Sequence, residues 1–170
     1  MVRAVNGART VKPGYVVTYP NRDKAASKTT KIVVVVVLLV STLLMLLATV
    51  GGWSKLEGLI PLNVAWCLVY LVIARYVLRW ARGLLPIAAT LAALMLTFTV
   101  IAASSLDGVT WSDRGGAGYA PAHSLFGGSG FSSGTMTVLV IAIAVSQAVL
   151  ILVAIRGFSQ AWNIEYEMPA

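Results

Sequence analysis

Five consecutive valines, Val33 to Val37, open an apolar run that begins just after Lys31 and continues without a charged residue to Val50. β-Branched residues disfavour helices in water. In lipid, however, the backbone N–H and C=O groups have no partners but each other, so such a run becomes helical. About 19 residues rise some 28 Å, close to the hydrocarbon thickness of a bilayer. The long basic segment before the run, its length and the lack of an A-x-A site read as an uncleaved anchor rather than a signal peptide.

Three more stretches repeat the pattern, giving spans at about 32–50, 59–78, 84–103 and 135–155. Hydrophobic residues make up 58% of the chain and charged residues 11%, against about 25% charged in an average soluble domain. A water-soluble fold could not cover that much apolar surface. Pro61 and Pro86 fall in the first turns of their spans, where proline is tolerated. The Arg82-Gly83 turn is short, so spans two and three are expected to be antiparallel neighbours. Span three carries alanines at 88, 89, 92, 93, 102 and 103, a small-residue spacing that allows close helix approach.

Around the spans lie a basic N-terminal arm (1–31), a Gly/Ser-rich loop (104–134) and a tail (157–170). Pro13-Gly14 and Pro20-Asn21 break any long helix in the arm, which reads as extended chain rather than an amphipathic transit peptide. Of 13 Lys and Arg residues, 11 fall on one side of this arrangement; only Lys55 and Arg114 fall on the other. The positive-inside rule then predicts an all-α integral membrane protein of the cell (plasma or inner) membrane. It would be a four-helix transmembrane bundle with both termini cytoplasmic and the long loop outside.

Chemistry-bearing residues are sparse. No Asp, Glu or Lys lies deep in a span, which disfavours an ion-coupled transporter. His123 is the only histidine and lies in the loop. With Asp107, Asp113 and Ser124 it matches no nucleophile motif, and with Cys67 at another depth it makes no metal site. Gly115-Gly116-Ala117-Gly118 lacks the strand, helix and lysine of a phosphate loop. No catalytic, cofactor-binding or metal-binding residue is therefore assigned.

Three groups of contact residues remain. Gln147 and Ser146, near the middle of span four, and Asn63, in span two, are expected to make helix–helix or partner contacts. An interhelical bond of this kind is worth about 0.6–2 kcal/mol. Thr97, Thr99 or a backbone carbonyl are the expected partners of Gln147. Arg75, Arg79 and Arg82, spaced i, i+4, i+7, together with Lys28 and Lys31, are expected to meet anionic lipid. In the tail, Trp162, Glu165 and Glu167 are expected docking residues, the acids toward the basic arm or toward Arg79 and Arg82.

The function expected is that of a non-catalytic accessory or assembly subunit of a larger membrane complex. A small oligomeric transporter or channel around Gln147 and Asn63 is the alternative. An enzyme acting on lipid headgroups is disfavoured, because its arginines and its carboxylates would sit about 30 Å apart across the bilayer. Partners are then membrane lipids and other membrane subunits, with a homo-oligomer left open and nucleic acid excluded.

Overall fold

A computed structural model of the chain describes residues 4–5, 9–10, 14–53, 60–103 and 130–169. Its elements run in the order β1 (Ala4–Val5), β2 (Arg9–Thr10), β3 (Tyr15–Thr18), α1 (Pro20–Asp23), α2 (Ala25–Gly51), α3 (Ile60–Leu78), α4 (Leu84–Ala103), α5 (Ser133–Ser159) and β4 (Tyr166–Pro169). The four long helices are each long and apolar enough to cross a membrane. The loop residues 104–129, with His123, Asp107 and Asp113, lie outside the described residues.

The burial pattern departs from that of a soluble protein in its exposed aliphatic faces. Leu152 and Val138 are 69% and 67% exposed, whereas Gln147 and Ser41 are fully buried. Many large aliphatic side chains face out, while Ser41 and Gln147 are enclosed beside an aliphatic core, which suits helices surrounded by lipid.

α2 and α5 contain 27 residues each, roughly 40 Å of helix, and overrun the hydrocarbon thickness. α2 begins at Ala25 rather than near Ile32. Lys24, with φ −61° and ψ 132°, is the extended residue that separates it from α1. Pro20 does not end a helix here; it occupies the first turn of α1, where its missing N–H costs nothing. At the other end of the chain, Ser132 caps α5, its hydroxyl accepting from the Thr135 N–H at 3.2 Å.

Around the bundle the order is α3, α2, α5, α4. α5 lies along both α4 and α2, and α3 lies along α2. α3 and α4, separated by only residues 79–83, are neighbours as expected, but they are in looser contact than α4 with α5 or α3 with α2. The inward stripe of α4, Leu85, Ala88, Ala92 and Met95, is turned toward α5, where small residues permit close approach. Trp66 of α3 and Phe98 of α4 meet edge-to-face, centroids 6.3 Å apart. A groove of about 530 Å³ lies between the two helices, lined by Leu68, Val72, Tyr76, Leu84 and Ile87 among others.

The arm and tail fold together. β1 pairs with β2, and β3 pairs antiparallel with β4, matching Val16 with Met168 and Val17 with Glu167. Both terminal segments therefore sit at one end of the bundle, called the terminal end below. At the far end, the Phe131 N–H donates to the Gly51 carbonyl at 2.6 Å, and the Phe131 ring lies where a Cβ on Gly51 would be. Any Cβ at Gly51 would force the Phe131 ring to shift.

Candidate functional site

The middle of the bundle holds a buried polar cluster contributed by three helices. Gln147 on α5 uses both ends of its amide: Oε1 accepts from the Tyr70 hydroxyl of α3 at 2.6 Å, and Nε2 donates to the Ser146 hydroxyl at 3.2 Å. Ser146 Oγ also accepts from Ser41 of α2 at 3.0 Å and donates to the Ile143 carbonyl at 2.7 Å. Ser146 Oγ thus both donates and accepts, while the Tyr70 and Ser41 hydroxyls act as donors. Tyr70, Gln147 and Ser41 are all fully buried.

From this cluster a thinner polar seam follows the α2–α3 contact toward the far end. The Cys67 thiol approaches the Thr42 carbonyl at 3.8 Å, and Asn63 Nδ2 donates to Thr49 Oγ1 at 3.3 Å. Asn63, Cys67 and Tyr70 fall at i, i+4 and i+7, on one face of α3. Toward the terminal end the seam stops. Val34, Leu38, Val77, Leu150 and Ala154 fill the next layers and are all fully buried. The buried hydroxyls Ser41 and Thr30 are eleven residues apart along α2, about 16 Å. The cluster is uncharged, is bordered on one side by this apolar block, and joins three helices.

A second constellation locks the terminal end. Arg22 Nε donates to the Trp162 carbonyl at 3.1 Å, its Nη2 donates to Asn163 Oδ1 at 3.1 Å, and its guanidinium lies 3.8 Å from the Tyr19 ring centroid. Asn21 Nδ2 donates to the Ala161 carbonyl at 3.0 Å. Gln160 Nε2 donates to Thr30 Oγ1 at 2.9 Å while its Oε1 accepts from the Trp162 indole at 3.0 Å. Trp162 is fully buried and meets Trp80 edge-to-face at 5.3 Å. The Lys31 ammonium caps the Trp80 ring at 4.0 Å.

Trp80 adopts φ 66°, the left-handed conformation usually left to glycine at a helix end. This costs a non-glycine residue roughly 1–2 kcal/mol. The contacts of its ring with Lys31 and Trp162 offset that cost. The same turn ends α3 at Leu78, so Arg75, Arg79 and Arg82 do not form one helical face. Arg75 and Arg79 are exposed, whereas Arg82 donates to the Phe158 carbonyl at 2.8 Å and lies 4.2 Å from the Phe158 ring centroid.

The other sequence-derived residues distribute as follows. Ser146 and Gln147 come together, with Tyr70 and Ser41 as partners that the sequence reading missed. Thr97 and Thr99 bond the carbonyls of their own helix, at Ala93 and Met95, instead of Gln147. Lys28 makes a loose 3.9 Å ion pair with Asp23. Trp162 is buried inside the chain and is not presented to a partner. Glu165 accepts from the Tyr19 hydroxyl at 2.9 Å, and Glu167 pairs in β4 opposite Val17. The glutamine–aromatic link was partly legible: the polar stripe of α3 signals an inward face, although not its partner.

No protein-family model, curated protein or solved structure matches this chain.

Proposed function

We propose that the protein is a non-catalytic accessory or assembly subunit of a larger complex in the plasma or inner membrane, with both termini on the cytoplasmic side. The observation that carries this reading is a contrast within the bundle. Tyr70, Gln147, Ser146 and Ser41 bond to one another at the centre, while an apolar groove lies on the outer face between consecutive helices α3 and α4. A closed polar interior supports a scaffold more than a conduit. An open seam between two spans is a face that a helix of another subunit can fill, by the close packing that drives association in lipid.

Purification of the intact chain in mild detergent tests the proposal. Stoichiometric partners should accompany it, and Val72→Trp, which fills the groove, should release them while the helical content is kept. A lone chain with no partner, or partners retained by the filled groove, rejects the role. The orientation is tested separately with reporter fusions at both termini. Activity of both reporters on the cytoplasmic side is expected, and either terminus outside would overturn it.

A further inference from the structure

The lock at the terminal end leaves a hollow between the β3 segment and the start of α2. Its volume is about 690 Å³. Among the described residues, three cations line it, Arg22, Lys28 and Lys31, against the single acid Asp23. Asp23 only partly offsets them, since its pairing with Lys28 is long at 3.9 Å and both side chains are largely exposed. Arg22 commits two of its five N–H donors to Trp162 and Asn163. Lys31 stacks on Trp80 through its charge, which leaves ammonium N–H groups for another acceptor.

The floor of the hollow is different. Ile32 and Leu78 line it and are 55% and 51% exposed, on adjacent outward faces of α2 and α3. Trp80 stands at the border between the basic rim and this apolar wall, the place an interfacial tryptophan occupies. A free anion would use the rim and leave the wall bare. A molecule with a phosphate above and hydrocarbon below satisfies both.

We propose that this hollow is a specific site for an anionic phospholipid. Its phosphate sits among Lys28, Lys31 and Arg22, and its acyl chains lie along Ile32 and Leu78. The lipid closes over the residues that hold the tail, so its binding also tightens the arm–tail lock. The inference rests on the four long helices being membrane spans, and it stands or falls independently of the subunit role, which partner copurification reads.

The test uses the full chain in neutral detergent. Thermal unfolding is followed with added phosphatidylglycerol, phosphatidylcholine or inorganic phosphate, in the parent, in Lys28→Gln/Lys31→Gln and in Arg75→Gln/Arg79→Gln. Phosphatidylglycerol should raise the midpoint saturably, and the Lys28/Lys31 pair should weaken its apparent affinity about tenfold or more. The Arg75/Arg79 pair should leave it within about twofold, because those side chains are outside the hollow. A shift produced equally by phosphatidylcholine, reproduced by inorganic phosphate alone, or lost equally in both pairs overturns the site. Photo-crosslinking of the parent with an anionic lipid carrying a diazirine in its chain keeps the test open if a variant misfolds. Label at Ile32 and Leu78 is expected, and label spread evenly over the exposed faces of all four spans contradicts it.

Discussion

Tyr70 and Gln147, 77 residues apart, are joined by a 2.6 Å hydrogen bond at the centre of the bundle, with the phenol as donor and the amide oxygen as acceptor. This bond ties α3 to α5 although the two helices do not lie side by side in the bundle order. α2 stands between them and contributes Ser41 to the same network. An amide left without a partner in a dry interior costs more than the bond itself is worth, so the pair should behave as a unit.

Removing both members of that pair is therefore expected to cost less than the sum of the two single losses. Tyr70→Phe and Gln147→Leu should each destabilise the bundle by about 1–2 kcal/mol. The double variant should fall short of the sum by about 0.5 kcal/mol or more, because neither group is then stranded. Reversible unfolding in mixed detergent micelles measures all three, and strict additivity would contradict the coupling.

Arg22 holds the tail through two different acceptors, a carbonyl and a side-chain amide. A planar fork reaches both with rigidly placed N–H groups, a geometry that the compact, strongly hydrated lysine ammonium does not reproduce. Arg22→Lys should thus release the tail almost as fully as Arg22→Ala. A loss of about 1.5 kcal/mol implies proteolysis after residue 160 roughly tenfold faster, with the spans intact. If the lysine variant protects the tail like the parent, charge alone is sufficient and the fork is not needed.

Space beside Gly157 is limited. A Cβ there would lie 3.1 Å from Leu85 Cδ1 and 3.3 Å from the Trp162 ring. Alanine demands a shift of a few tenths of an ångström and should be nearly tolerated. Leucine should displace Trp162, at about 1–3 kcal/mol, and shift tryptophan emission to the red as the indole meets water. Unchanged emission in Gly157→Leu would show that the ring is not wedged against this helix.

The Tyr19 phenol is held above its usual value of 10.0, first by its bond to Glu165, then by partial burial and by the negative charge of that carboxylate, with Arg22 opposing. The folded state thus prefers the protonated phenol. Its contribution is whole below the unfolded value of about 10 and is lost as pH rises through the higher folded value. Protease sensitivity of the tail should rise in that alkaline window for the parent. Tyr19→Phe, which lacks the bond from the outset, should show no such step. Superimposable pH profiles for the two proteins would remove Tyr19 from the lock.

Much of the architecture was written locally. Each apolar stretch is long enough to cross lipid, and a helix satisfies its own backbone there, so four helices followed from runs such as Val33–Val37 and from Pro61 and Pro86 at their starts. The inward polarity of Gln147 was legible for the same reason, since an amide among aliphatic neighbours must face protein. Its partner was not, because Tyr70 becomes an interior donor only through the rotation of α3 against α2. The lock was hidden more deeply: Val17 and Glu167 are 150 positions apart, and no local pattern brings β3 to β4.

What the residues alone decided, then, is which segments become helices and which side chains avoid lipid, since both depend on hydrogen-bond satisfaction within a few turns. Packing decided the rest: that Gln147 meets Tyr70, that α4 turns its alanines to α5 and leaves a groove beside α3, and that Trp162 is buried instead of offered outward. Lipid supplies no hydrophobic push between spans. Their order is therefore set by shape and by a few polar bonds across the bundle, and these exist only once distant helices are side by side.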